Sequence, residues 1–172
     1  MNFSIGEDEL GVASPTDPAV RLQRAMDTAY RYLGRRDRTV FEVRRHLEDK
    51  RVEPDEIEQV VAELQAQGYL DDARYARAYA EDRRALDGWG PDRIARRLAQ
   101  AGVGPDDVAA ALAARGPEQE LEAAVDVLRT KLRVAPDDDR GRERALGLLV
   151  RRGYELEMAY DAVRAFARER AD

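Results

Sequence analysis

A single tryptophan, Trp89, stands between Gly88 and Gly90, and Arg83, Arg84, Arg93, Arg96 and Arg97 lie close to it in the chain. Side chains of these types bind; they do not make or break covalent bonds. A guanidinium forms paired hydrogen bonds to a carboxylate or a phosphate, and an indole supplies the large rigid surface that often dominates a protein interface. The six residues are therefore a candidate partner-binding site, suited to an acidic strip on a protein or to nucleic-acid phosphates. Arg93 and Arg97 are one helical turn apart with Arg96 adjacent, so all three can point away from Ile94 and Leu98. Trp89 allows two readings: it can seal the contact between structural units, or stand exposed as an anchor for a partner.

Residues capable of covalent or metal chemistry are scarce. The absence of cysteine removes disulfides, thiolate metal sites and thiol nucleophiles together. The one histidine, His46, sits beside Leu47 in an arginine-rich stretch and reads as an ordinary helix-surface or partly buried residue. No glycine-rich segment ends in the lysine of a phosphate-binding loop. Asp137, Asp138 and Asp139 lack the alternating ligands and closing glutamate of a calcium loop and read as a solvated turn. No catalytic residue, cofactor or metal site is assigned, and the chain is read as a non-enzyme. Tyr30, Tyr32, Tyr69, Tyr75, Tyr79, Tyr154 and Tyr160 could stack on bases, but most sit at helical spacing on apolar stripes and read as core.

Charge is distributed unevenly over the 172 residues. The net charge is −6, yet residues 1–17 hold four acids and no base, which leaves the rest nearly neutral, with 29 bases against 31 acids. All bases except Lys50 and Lys131 are arginine, a choice that favours bidentate anion contacts and that a GC-rich genome would also produce. The 37% charged content, the lack of an apolar run long enough to cross a bilayer and the lack of a secretory signal pattern give the expectation of a cytoplasmic protein with no membrane contact.

The elements that must position these residues follow from a repeat. Residues 45–64, 96–115 and 147–166 align without a gap at a constant offset of 51. The alignment superposes Leu47, Leu98 and Leu149, then Val52, Val103 and Tyr154, then Pro54, Pro105 and Leu156, then Val61, Leu112 and Val163. Shared apolar positions imply a shared local fold. Helical periodicity, a capping box at Thr39–Glu42, prolines suited to first turns and glycines suited to helix ends make each unit three short helices. The expectation is an all-α protein of three tandem three-helix repeats in an elongated, curved array. A disordered acidic tail over 1–17 precedes repeats over 18–71, 72–115 and 116–172, with a loop at Pro136–Asp139 inside the third. Gly88 is placed to end one helix in the left-handed conformation, and Gly90 and Pro91 to start the next.

Three-helix units invite comparison with DNA-reading domains, whose recognition helices begin with basic or amide residues. Here the third helices begin Pro54-Asp55-Glu56, Pro105-Asp106-Asp107 and Leu156-Glu157. Carboxylates suit the helix dipole and repel phosphates, which argues against sequence-specific reading.

The run GYLDDARYARAYAEDRRALDGWGPDRIARRLAQAGV, residues 68–103, resembles the RecX family of bacterial regulatory proteins. Gly68-Tyr69-Leu70-Asp71-Asp72, Arg74-Tyr75-Ala76, Tyr79 and Arg83, followed by Gly90-Pro91, Arg93-Ile94, Leu98 and Gly102-Val103, look like that family's central signature in order and spacing. With its flanks the resemblance covers about residues 20–170. It implies tandem three-helix repeats and a non-catalytic regulator that binds the RecA recombinase filament on single-stranded DNA; separately, the chain is expected to be a monomer. The implied effect is to lower the filament's ATPase and strand-exchange activity, and so to modulate recombination, repair and the SOS response, with weak direct DNA binding as a further property. The main alternative is a nucleic-acid-binding helical regulator that acts on DNA directly through its arginine faces, and a third reading is a scaffold that binds an unrelated protein.

Overall fold

The computed structural model describes residues 17–132, 134 and 136–169. The disordered tail expected over 1–17 thus lies outside the described residues, except for Asp17, whose carboxylate accepts the Ala19 amide hydrogen at 2.9 Å and caps the first helix. Among the described residues every regular element is a helix: α1 (Pro18–Leu33), α2 (Val40–Asp49), α3 (Pro54–Ala66), α4 (Asp72–Asp87), α5 (Pro91–Gln100), α6 (Pro105–Ala113), α7 (Pro117–Lys131), α8 (Asp139–Arg152) and α9 (Leu156–Glu169). Proline opens α1, α3, α5, α6 and α7, where its missing amide costs nothing. The capping box forms: Thr39 Oγ1 accepts the Glu42 amide hydrogen at 3.2 Å while Glu42 accepts that of Thr39 at 3.1 Å.

The 51-residue repeat is visible in the helices. α3, α6 and α9 begin at Pro54, Pro105 and Leu156, and Leu47, Leu98 and Leu149 are each 0% exposed. The chain divides into two compact units, Met1–Asp37 with Val43–Tyr69, and Arg38–Glu42 with Leu70–Asp172.

In the first unit α1 packs on α3, burying Ala25, Ala29, Val60 and Leu64. Arg21 pairs with Glu56 at 2.6 Å, and the Tyr30 hydroxyl donates to Gln67 at 2.6 Å. The second unit holds two cores. One gathers Ala76, Ala80, Ile94, Leu98, Val103 and Ala111 from α4, α5, α6 and the turn after α5. The other gathers Val125, Leu128, Leu149, Tyr154, Val163 and Phe166, with α9 packed on both α7 and α8. Of the tyrosines expected in cores, only Tyr154 is fully buried; Tyr69 and Tyr160 are about half exposed, and the other four are half-buried.

Inside the second unit one contact occurs twice. The Gly90 amide donates to the Arg152 carbonyl at 2.8 Å, and the Asp92 amide donates to that of Gly153 at 3.0 Å. Fifty-one residues earlier, Thr39 Oγ1 donates to the Ala101 carbonyl at 2.6 Å. In both places the start of a second helix sits on a turn that holds a left-handed glycine, Gly153 (φ +89°) or Gly102 (φ +80°). A Cβ on Gly153 would collide with Arg93, and one on Gly102 with Phe41. The equivalent position in the first unit is Arg51, also at positive φ (60°). A side chain is tolerated there, at the cost of strained backbone alone.

Substitution should therefore change sign between equivalent positions. Gly153→Ala is expected to lower the second unit's stability by about 2 kcal/mol or more, from backbone strain plus overpacking. Arg51→Gly is expected to raise the first unit's by about 0.5–1 kcal/mol. Denaturant titration followed by circular dichroism checks both.

Candidate functional site

The link between α4 and α5 carries the tryptophan. Gly88 ends α4 in the left-handed conformation, with its amide hydrogen on the Arg84 carbonyl, and Gly90 is the N-cap of α5 ahead of Pro91. Trp89 is half-buried and packs against the Ile94–Leu98 core. Its ring is covered by the Arg93 guanidinium, 4.1 Å from the centroid, and approached by that of Arg83 at 5.8 Å. Both readings of Trp89 thus apply in part: its inner side is core and its outer side is cation-covered. Such cation–π contacts contribute about 0.5–1 kcal/mol at exposed sites and more when desolvated.

The arginines divide by what they contact. Arg83 pairs with Asp87 at 2.6 Å. Arg93 lies across the turn that receives α5, donating to the Arg151 carbonyl at 3.1 Å, so its work is largely internal. Arg96 and Arg97 are exposed and, among the described residues, hydrogen-bond only within their own helix, to the Asp92 carbonyl and to Gln100, while Ile94 and Leu98 point inward. The structure brings Arg83, Trp89 and Arg93 together and leaves Arg96 and Arg97 as an open basic face.

Arg84 is elsewhere. It is 8% exposed, pairs with Glu120 of α7 at 2.7 Å and donates to the carbonyls of Leu112 (3.1 Å) and Ala111 (3.4 Å). Among the described residues Arg84 Nε and Glu120 Oε2 have no hydrogen-bond partner, so the buried pair is incompletely satisfied. Desolvating two charges often costs as much as or more than such a pair returns against apolar residues of equal volume, whereas removing one partner strands the other.

Beside Trp89 opens a cleft of about 790 Å³ whose walls include Arg93, Arg115, Lys131, Arg151 and Arg152. The last four were not singled out in the sequence. Arg152 and Gly153 stand opposite Ala101 and Gly102 in the repeat alignment, but that alignment does not show that the turn of one repeat meets the helix start of another. Arg152 also donates to the Asp87 carbonyl. Tyr154, 2% exposed, is the fully buried tyrosine of this region. Burial pushes its hydroxyl up to about 12, and the Glu120 charge adds to the shift.

Among the described residues no cluster of three or more His, Asp or Glu could hold a metal ion, and no helix is long and apolar enough to cross a membrane.

Three-helix domains in series define a helical-repeat protein. Family models for the first and second RecX three-helix domains match residues 25–64 and 71–112. The Regulatory protein RecX of Deinococcus radiodurans is 32% identical over 95% of this chain and 78% of its own length. That of Mycolicibacterium smegmatis is 34% identical over 86% and 81%. The chain belongs to the RecX family. The crystal structure of RecX from Lactobacillus salivarius shares the fold, with a TM-score of 0.78 at 20% identity, over 86% of this chain and 97% of that one.

Two outcomes test the energetics. Glu120→Ala should cost about 3 kcal/mol, whereas Arg84→Met combined with Glu120→Leu should match or exceed the parent, by denaturant midpoint. Because the folded state favours the neutral Tyr154 phenol, an unfolded chain titrating near pH 10 ionises first. The tyrosine's contribution is complete below about pH 10 and is lost as pH rises to about 12. The parent's stability should fall about 2 kcal/mol further over that window than that of Tyr154→Phe.

Proposed function

We propose that this chain binds the RecA recombinase filament on single-stranded DNA and lowers its ATPase and strand-exchange activity, with no turnover of its own. The observation that carries the reading is the signature Gly68–Val103, most of which falls within residues 71–112, the match to the second RecX domain. Relatives along nearly the whole chain are named regulatory proteins. In this reading the chain acts as a cytoplasmic monomer with repeats over 18–71, 72–115 and 116–172, and modulates recombination and repair. The contact surface is the exposed face of Arg96 and Arg97, flanked by the Trp89–Arg93 stack. Arg84, enclosed with Glu120, is left out of it.

One observation favours a second reading, a regulator acting on DNA itself. The cleft beside Trp89 gathers Arg93, Arg115, Lys131, Arg151 and Arg152 against two carboxylates, Asp87 and Asp126, and such an excess of bases attracts phosphates.

Following ATP hydrolysis by RecA on single-stranded DNA while titrating the chain, with a DNA-only binding assay over a salt series alongside, separates the two. Inhibition at concentrations where free DNA is still largely unbound is the expected result. RecA hydrolysis and strand exchange unchanged at saturation would sink the first reading. Arg96→Ala with Arg97→Ala should weaken inhibition by about 1–3 kcal/mol, the range for charge-assisted contacts, with melting temperature within a few degrees of the parent. Full inhibition by that variant would move the contact surface elsewhere.

A further inference from the structure

In the first unit a cleft of about 570 Å³ lies between the ends of α1 and α2, lined by Thr28, Arg31, Tyr32, Arg35, His46 and Lys50. Thr28, Arg31, Tyr32 and Arg35 follow the i, i+3, i+4, i+7 spacing of one helix face, and His46 and Lys50 are one turn apart. Among the described residues no carboxylate lines it. That is unusual in this chain, where acids outnumber bases and arginines of the same unit find acidic partners, Arg21 with Glu56 and Arg44 with Glu58. Arg31, Arg35 and Lys50 form no ion pair among the described residues.

Cations at helix ends have an ordinary explanation, because each helix C-terminus carries roughly half a negative charge. Two helix ends supply about one negative charge, against three full cations at Arg31, Arg35 and Lys50. The dipoles therefore leave an uncompensated excess of about two positive charges in one cleft, a repulsive arrangement that an anion would relieve.

The cleft is also built. The Tyr32 and His46 rings stack at 3.9 Å between centroids with 4° between planes, tying α1 to α2. Thr28 donates to the Arg24 carbonyl at 2.8 Å and accepts from Arg31 at 3.3 Å, while Arg31 Nε donates to the Asp27 carbonyl at 3.2 Å, which orients that guanidinium.

We propose that this cleft is a phosphate-binding site, with Arg31, Arg35 and Lys50 as its cations and the Tyr32–His46 stack as its wall. Two arginine forks and one lysine point charge match the several oxygens and high charge density of a phosphate better than the two oxygens of a carboxylate. The phosphate belongs either to a nucleic-acid strand or to a small free anion. The site lies outside the Gly68–Val103 signature and does not depend on RecA recognition.

The test is a titration of the ¹⁵N-labelled full chain, followed by NMR at constant ionic strength, with inorganic phosphate, a thymidine oligonucleotide and oligoglutamate as separate probes. Saturable shifts centred on residues 28–35 and 46–50 are expected with phosphate, the oligonucleotide or both. Tighter binding of the oligonucleotide identifies a strand as the source, and equal or tighter binding of inorganic phosphate identifies the free anion. Arg35→Ala with Lys50→Ala, both exposed, should weaken the response by about tenfold with an unchanged far-ultraviolet spectrum. The proposal is overturned by absent shifts in the cleft with both phosphate probes, by shifts undiminished in the double variant, or by oligoglutamate binding as tightly as the phosphate probes.

Discussion

A helix that begins without a capping side chain leaves amide hydrogens in search of acceptors, and α5 is such a helix. Gly90 has nothing to offer from its own side chain. The acceptors are the carbonyls of Arg152 and Gly153, delivered by the turn that ends α8. Everything characteristic of the second unit is arranged around that approach. Backbone must come close to backbone, so Gly90 and Gly153 carry no side chain: a Cβ on Gly90 would stand 2.5 Å from the Gly153 carbonyl oxygen. Arg93, in the first turn of α5, then lies over the receiving turn, and Trp89, just ahead of the N-cap, is held beneath the Arg93 guanidinium.

Much of this was legible in the sequence, for identifiable reasons. Helix starts and the buried leucines obey local rules, capping chemistry and apolar periodicity, which act over one or two turns, so Thr39, Pro105 and Leu149 could be read in isolation. What was not legible depends on partners distant in the chain. Arg84 looks like its neighbour Arg83 until Glu120, thirty-six residues on, is placed beside it. Arg93 looks like part of an exposed face until the Arg151 carbonyl is found under it. Periodicity also overstated the burial of the tyrosines, because a phenol can lie along a core and still keep its hydroxyl in water, as Tyr30 does while donating to Gln67.

Arginine is abundant here, and its roles separate by what each guanidinium must satisfy. Inside, Arg84 is committed to a carboxylate and two carbonyls. At the turn after α8, Arg93 and Arg152 donate to backbone carbonyls and fasten elements together. On the surface, Arg129 reaches Glu122, Asp126 and Glu169 at once, a network worth more than isolated pairs. Nearness to the tryptophan in sequence is therefore a poor guide to availability.

The glycine turn has one more implication, for divergence. A contact made from amide hydrogens, carbonyl oxygens and the absence of a side chain uses almost nothing that distinguishes one amino acid from another. Nearly every position around it can drift, provided that two glycines stay small and the helices keep their length. The core tolerates exchanges of similar volume in the same way. A lineage built on such rules loses the resemblance of its letters long before that of its shape. The chain and its relative from Lactobacillus salivarius share one residue in five and still superpose.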